Sequence, residues 1–438
     1  MNANFLGVFL ILLAMLASPA SAQWLLVPMD RDQQNHLRAY GLTYWVLEEG
    51  DEAEWLLNYR GGSFLLPDSP GVRREAALRG VSTLPMDASA EARMRATVEA
   101  SNMEAVPLER APKVAIYTPP NSEIWDDAVT MALEYAGIGY ETIWDPEVLG
   151  EGLEEYEWIH LHHEDFTGQY SKFFLTYGAT SWLQDEVARS EDMARQVGFR
   201  DVPALKKGVA AAIRTYVEEG GFLFAMCSAT ETLELALAGA EVDIAASYSD
   251  GSPPDPQASL KMNWSRTMAF SGAEVQTSTS ISAFSDIDAH QVNTPWRKEL
   301  GVYTLFDFSA KFDPIPSMLT QNHVSVIPDF YGLTTSFADD RLKPAAVVLA
   351  RESGWAKYLH GNLGEGTWTY FGGHDPEDPE HQIGDPPTDL SLHPNSPGYR
   401  LILNNVLFPC LRHPSEQASL TNRIVPYCEI ISDIISAL

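Results

Sequence analysis

The chain has 438 residues, enough for two or three domains, and it is 45% hydrophobic and 20% charged, as ordinary globular proteins are. Its net charge of −31 argues against nucleic acid and anionic lipid as partners, because so acidic a surface repels both. We therefore expect a small molecule as the partner.

Residues 1–22 have the pattern of a signal peptide. An apolar run over residues 5–16 is followed by the small residues Ala20, Ser21 and Ala22, which predicts cleavage before Gln23. No later stretch approaches the roughly 20 apolar residues of a membrane span. We therefore expect an exported protein, periplasmic or extracellular, that is not anchored in a membrane.

The rest of the chain divides by its pattern into an N-terminal α/β unit with a connector (23–110), a larger domain (111–412) and a C-terminal tail (413–438). The first unit has a strand, helix and strand in succession, which predicts a βαβ-like unit. In the larger domain strands and helices alternate, which predicts an α/β fold with a doubly wound parallel sheet. Residues 240–340 interrupt this alternation and predict an inserted irregular or antiparallel region.

A short apolar strand that runs directly into a helix is the central feature of the larger domain. Residues 222–226 are all apolar, and Ser228 and Thr230 begin a helical pattern. Cys227 stands at the junction, where the tight turn of a nucleophile elbow would place its thiol at the carboxyl edge of the sheet. The helix dipole there favours a thiolate. The alternative is a buried structural cysteine, because a free cysteine packs as a small hydrophobe.

A second predicted strand end supplies a candidate base for this thiol. The apolar residues 368–371 are followed by Gly-Gly-His-Asp-Pro-Glu-Asp. His374 could accept the thiol proton, and Asp375 or Glu377 could hold its imidazole in the required tautomer. The alternative for this segment is an Asp-Pro turn with a solvated acidic rim.

A third strand end, His-Leu-His-His-Glu-Asp at residues 160–165, supports two interpretations. In the first, this loop lines the same pocket and binds substrate without a cofactor or metal. The substrate-binding residues are then His162, His163, Glu164, Asp165, Asn121 and Ser228. In the second, His160 and His162 share one face of the strand and bind zinc or iron together with Glu164. Strand histidines at this spacing are also common as packed core residues.

Two further cysteines flank the C-terminal tail. Cys410 and Cys428 could form a disulfide in an oxidising compartment. Cys227 would then remain a free thiol, which favours a functional explanation for it.

The pieces described above resemble class I glutamine amidotransferase-like domains, which have a flavodoxin-like sheet and a Cys-His-Glu triad. KVAIYTPPN matches the first strand, GGFLFAMCSA the elbow, GEGTWTYFGGHDPED the late strand with its histidine, and YRLILNNVLFP the following helix. The resemblance covers about residues 112–410 without the insertion and implies a triad of Cys227, His374 and Glu377. The chain departs from the family where Ala225 and Ala229 replace elbow glycines and where His374 and Glu377 are three positions apart instead of two.

The whole chain also resembles an exported bacterial group often labelled asparagine synthetase B. Such synthetases have an N-terminal cysteine glutaminase and an ATP pyrophosphatase loop of the form SGG-x-DS. The predicted mature chain begins at Gln23, and no such loop occurs in the sequence. The motifs therefore do not support a synthetase.

Three hypotheses follow from the sequence. The first is a hydrolase of an amide or related small substrate, with Cys227 as nucleophile and His374 as base. The second is a non-catalytic module that binds a small ligand, such as a carbohydrate, in the same pocket. The third is a metal-dependent enzyme that uses the cluster at 160–165.

Overall fold

The computed structural model describes residues 23–120, 127–150, 152–279, 281, 283–289, 301–328, 330, 334–378 and 386–410. The predicted signal peptide, Asn121, Cys428 and the predicted tail lie outside the described residues.

The described strands form two sheets. The first sheet contains β1 Trp24–Val27, β2 Ala53–Leu57, β3 Ser63–Pro67, β4 Leu84–Met86 and β5 Glu104–Leu108. The second contains β6 Val114–Tyr117, β7 Glu141–Ile143, β8 Trp158–Leu161, β9 Phe222–Met226, β10 Val302–Leu305, β11 Val326–Pro328, β12 Val347–Glu352, β13 Trp355–Leu363 and β14 Gly366–Phe371.

Helices cover both sheets. In chain order they are α1 His36–Glu48, α2 Pro70–Arg79, α3 Ala88–Ala100, α4 Ala128–Ala136, α5 Asp145–Leu149, α6 Phe174–Tyr177, α7 Ser181–Gln196, α8 Val202–Glu218, α9 Ala229–Ala238, α10 Ser247–Asp250, α11 Ala258–Lys261, α12 Pro314–Thr320 and α13 Pro397–Leu407.

The N-terminal sheet is antiparallel throughout, with the strand order β4-β1-β3-β2-β5. The predicted βαβ-like unit was therefore wrong. The short turn at Tyr59–Gly61 joins β2 to β3 and allows only an antiparallel hairpin of these two strands. Strand β3 is inserted between β1 and β2 and pairs antiparallel with both, so the two strands that flank α1 are not neighbours.

The second sheet is mixed, and the predicted doubly wound parallel sheet was wrong. Its order is β11-β10-β12-β13-β14-β9-β8-β6-β7. The strands from β14 to β7 are parallel, whereas those from β14 to β11 pair antiparallel. Tight turns impose the antiparallel half: Ser353 and Gly354, both with positive φ, join β12 to β13, and Gly364 lies between β13 and β14. Strands β10 and β11 come from the predicted insertion and extend the sheet itself.

Apolar side chains pack on both faces of the second sheet. Phe224 and Met226 of β9 belong to a cluster that also includes residues of the N-terminal sheet, such as Trp55. Leu223 and Ala225 point to the other face, against helices such as α8. No helix among the described residues is long and apolar enough to span a membrane.

Candidate functional site

The parallel half of the second sheet brings three strand ends to one edge. Strand β9 lies between β8 and β14, with Ala225 paired to Leu161 and Met226 paired to Phe371. The residues that follow these strands are therefore neighbours at the carboxyl edge. Parallel sheets commonly bind ligands at this edge.

The turn after β9 has the backbone of an elbow. Cys227 has φ of 53°, a left-handed value that is costly for a residue other than glycine. Its N–H donates to Phe371 O at 3.2 Å. The chain then enters α9 at once, and Ala229 N–H donates to His162 O at 3.2 Å. The Ser228 hydroxyl donates to His163 O at 2.8 Å. These two hydrogen bonds fix the backbone at His162 and His163, where the loop after β8 begins, and Ser228 therefore binds that loop.

The Cys227 side chain is buried. Cys227 is 1% exposed and belongs to the apolar cluster that includes Phe224, Met226 and Phe371. A thiol in such surroundings has no open path to a substrate in this conformation.

Three histidines converge at the same edge. One ring nitrogen from each of His162, His163 and His374 can be chosen so that all three lie within 4.8 Å of one another. The ring centroids of His162 and His374 are 4.4 Å apart, and those of His162 and His163 are 5.0 Å apart. We call these three residues the histidine site. His162 is buried, His374 is half-buried and His163 is exposed, so the site is open to solvent on one side.

Two glycines place His374 in this site. Gly373 has φ of 109°, and its N–H donates to Thr334 O at 2.9 Å. A Cβ atom at Gly373 would lie 2.3 Å from the ring of Phe330, and one at Gly372 would lie 2.6 Å from Thr335 O. Only glycine fits at both positions, so the Gly-Gly pair fixes the path that leads to His374.

A buried carboxylate lies behind the histidine site. Asp127 Oδ1 is 3.3 Å from His160 Nε2 and 3.3 Å from His162 Nδ1. Asp127 is also the N-cap of α4, where its side chain accepts from the N–H groups of Val129 and Thr130. Burial would raise the pKa of Asp127, but His160 and His162 hold the pKa well below its usual value. Asp127 is therefore an anion fixed in place.

The other predicted acidic residues have different partners. Glu164 accepts from His162 N–H at 2.8 Å, and Asp165 accepts from the N–H groups of Thr167, Gln169 and Ser171. These contacts shape the loop after β8.

The acidic residues after His374 also stabilise their own loop. The Asp375 carboxylate accepts from Glu377 N–H and from the Thr388 hydroxyl, and Glu377 pairs with His393 at 3.0 Å. Of the predicted metal ligands His160, His162 and Glu164, the two histidines lie together. They form a second group of converging ligands with Asp127 in place of Glu164, and neither this group nor the histidine site includes Glu164 or Cys227.

The sequence pattern alone does not select Asp127 as a site residue, because an aspartate at the start of a helix is already explained by its capping role. The position of Asp127 along the chain could have indicated its role. Helix α4 follows β6, and β6 pairs with β8, the strand that carries His160. The residue that caps the start of α4 therefore lies at the carboxyl edge of the sheet, near the end of β8.

In comparison with known proteins, no family model and no curated protein matches the chain. Among solved structures it is similar to two cytoplasmic proteins from Salmonella typhimurium. The identities are 11% and 13%, each match covers 67% of this chain and 97% or 98% of the other, and the TM-scores are 0.30 and 0.32. A ThuA-like protein from Bacteroides uniformis matches at 11% identity over 67% of this chain and 88% of that chain, with a TM-score of 0.29. Similarities this distant assign neither a fold nor a function.

Proposed function

We propose that the protein is a metal-dependent hydrolase whose catalytic centre is the histidine site, with zinc bound by His162, His163 and His374. The observation that carries the proposal is the convergence of one ligand atom from each histidine within 4.8 Å at the carboxyl edge of the sheet. Zinc–nitrogen bonds of about 2.0–2.1 Å place tetrahedral ligands roughly 3.3 Å apart, which small side-chain rotations from the observed arrangement would reach.

The burial of the three ligands suits a catalytic metal better than a structural one. Structural zinc sites are closed by four protein ligands, whereas catalytic sites have three and keep one position for water or substrate. Here His162 is buried and His163 is exposed, so the fourth position would face solvent. Three imidazoles are a known ligand set for catalytic zinc, and imidazole also suits copper, iron and nickel.

The chemistry that such a centre supplies is the activation of water. Held by His162, His163 and His374, zinc would supply a water of lowered pKa, about 7 in known zinc enzymes, as the nucleophile for a carbonyl group. The chain would hold this centre through hydrogen bonds: Ala229 N–H and the Ser228 hydroxyl fix the backbone carbonyls of His162 and His163. An amide or related bond in a small molecule is the substrate class that we propose.

Zinc binding by the stripped and refolded full chain tests this proposal directly. We expect about one zinc per chain by mass spectrometry of metal content. His163→Ala and His374→Ala should each weaken binding by more than the roughly 10- to 100-fold that loss of an outer partner costs. His393→Ala is the matched control, because His393 pairs with Glu377 outside the histidine site. Equal zinc binding by wild type and both site variants would rule out this centre.

One observation favours a second candidate, a thiol hydrolase that uses Cys227. The left-handed backbone of Cys227, between an apolar strand and α9, is the geometry of a nucleophile elbow. Strained backbone of this kind occurs often at functional sites. In this candidate the buried thiol would have to become accessible before it could attack a substrate.

Activity of two variants separates the two candidates. With a panel of 4-nitroanilide and 4-nitrophenyl ester substrates, the metal proposal expects Cys227→Ala to retain turnover and His163→Ala to lose it. It also expects no labelling of the native protein by iodoacetamide at Cys227 near neutral pH, because that residue is buried. Rapid labelling together with loss of turnover in Cys227→Ala would support the thiol instead.

A further inference from the structure

The carboxylate of Asp127 lies beside the imidazoles of His160 and His162 at distances slightly longer than ordinary hydrogen bonds. Both nitrogen–oxygen separations are 3.3 Å, which is longer than the usual 2.9–3.0 Å. The Nε2 atoms of His160 and His162 and the Nδ1 atom of His162 are buried and have no geometrically good hydrogen-bond partner among the described residues. The carboxylate and the two rings therefore form a compact polar group enclosed by protein.

The hydrogen bond of His160 constrains how this group is arranged. His160 Nδ1 lies 3.1 Å from Phe224 O, and because a carbonyl only accepts, Nδ1 carries a proton. His160 therefore faces Asp127 through Nε2. His162 faces the same carboxylate oxygen through Nδ1. The second ring nitrogen of His162, Nε2, is therefore the one that can bind a metal.

We infer that Asp127 is a positioning residue for the metal ligand His162: the carboxylate faces Nδ1 of His162 at 3.3 Å, favours the tautomer that is protonated there, and thereby presents the Nε2 lone pair of that ring to the metal. This inference rests on the proposed function, because it concerns the same metal centre. A carboxylate that accepts from the second nitrogen of a metal-binding histidine fixes the tautomer and the ring orientation. It also makes the imidazole a more basic ligand.

Asp127 has a structural role as well, and the test must separate the two roles. As the N-cap of α4 it accepts from two backbone N–H groups and from the Thr130 hydroxyl. Asparagine caps helices about as well as aspartate does, so Asp127→Asn removes the charge and keeps the cap. Asp87 is a matched control, because it caps α3 through the N–H groups of Ser89 and Ala90 in the same way but lies exposed, away from the histidines.

The experiment measures zinc affinity by competition with a chromophoric chelator. We expect Asp127→Asn to bind zinc about 10- to 100-fold more weakly than wild type, and Asp87→Asn to bind it equally well. The midpoints of thermal unfolding of the two zinc-free variants should be close to that of zinc-free wild type, because asparagine keeps the helix cap in both. Asp127→Ser, which also keeps a cap, replaces Asp127→Asn should the latter fail to fold.

Nitrogen NMR of the zinc-free protein gives a reading that does not depend on metal. We expect His162 to be protonated at Nδ1 in wild type and to redistribute between its tautomers in Asp127→Asn. Unchanged zinc affinity in Asp127→Asn would overturn the inference and leave the proposed function standing. Two zinc ions per chain would also overturn it, because Asp127 would then be a ligand itself. Wild type that binds no zinc would overturn the proposed function and with it the role of His162 as a ligand, whereas loss of the His162 tautomer preference in Asp127→Asn would still show that the carboxylate sets this tautomer.

Discussion

Two pairs of buried or half-buried histidines in this molecule have opposite electrostatic surroundings. His36 and His323 stack face to face, with ring centroids 4.4 Å apart, beside the guanidinium of Arg400. His160 and His162 have centroids 5.8 Å apart and lie beside the carboxylate of Asp127. The first pair lies where the N-terminal sheet meets α13, and the second lies at the carboxyl edge of the second sheet.

The charge of the neighbour decides what each pair can bind. Burial and the nearby Arg400 lower the pKa of His36 to about 4 and that of His323 to about 3. That pair is neutral at ordinary pH, and a further cation beside it would be repelled. The Asp127 carboxylate beside the second pair attracts a cation. Histidine side chains thus serve as packing in the first region, whereas the second region includes a proposed zinc ligand, His162.

The largest effect should come from removing the cation of the first region. Arg400 is fully buried and donates to Met29 O, Gly61 O and the Tyr40 hydroxyl. Arg400→Met leaves these acceptors without their donor, so we expect the free energy of unfolding to fall by about 3 kcal/mol or more in urea titrations. The exposed Arg74 is the control, and Arg74→Met should change this free energy by less than about 0.5 kcal/mol. A small effect of Arg400→Met would mean that Arg400 does not organise its histidine pair.

The pH dependence of stability should reveal that His36, in the first region, is held neutral in the folded protein. Native His36 stays neutral down to pH of about 4, whereas an unfolded histidine binds a proton below about 6.5. The unfolded state therefore binds more protons in this window, so stability is present above pH 6.5 and is lost as the pH falls. We expect His36 to account for a loss of about 2 kcal/mol between pH 6.5 and pH 5.

Urea titrations of His36→Gln measure this contribution. The variant should lack that part of the pH dependence, and its stability should run parallel to that of wild type above pH 7. A variant with the same slope as wild type between pH 6.5 and pH 5 would show that His36 is not held neutral.

The smallest effect concerns Cys227, which lies between the strands that carry the ligands of the second region. Its φ of 53° strains any residue with a side chain, by roughly 1–2 kcal/mol relative to glycine. Cys227→Gly should therefore be more stable than Cys227→Ala by about 1 kcal/mol in paired thermal melts. Zinc affinity should be the same in both variants, because Cys227 belongs to neither group of metal-type ligands. The reverse order of stability would show that the turn relaxes once the thiol is removed.

The sequence pattern predicts where the parallel strands end better than it predicts how the strands pair within the sheets. Wholly apolar segments such as β9 and β14 are recognisable as buried strands from their composition. Apolar composition does not reveal the direction of a strand's neighbour, and the prediction assumed parallel pairing everywhere outside the insertion at 240–340. The decisive signals were local: short turns with positive φ around Arg60 and at Ser353 and Gly354, which join successive strands as hairpins.

The candidate site shows the same division. His162, His163 and His374 could be selected from the sequence because each follows an apolar strand. The carboxylate could not be selected by proximity in sequence: Glu164 is the near neighbour of His162, yet its side chain accepts from the backbone of that residue. Asp127 reaches the pair from the start of α4, through the pairing of β6 with β8. Only a contact between segments distant in the chain reveals it.

The distance along the chain between the proposed ligands has a consequence for assembly. His163 and His374 are more than two hundred residues apart, and they meet only after β14 has paired with β9. Zinc therefore has no complete site in the nascent or partly folded polypeptide, unlike the metal of a small zinc-dependent domain. An ion would enter a finished protein from the side of His163. Scarcity of zinc in the surroundings would then yield a folded but inactive population that recovers when the metal returns.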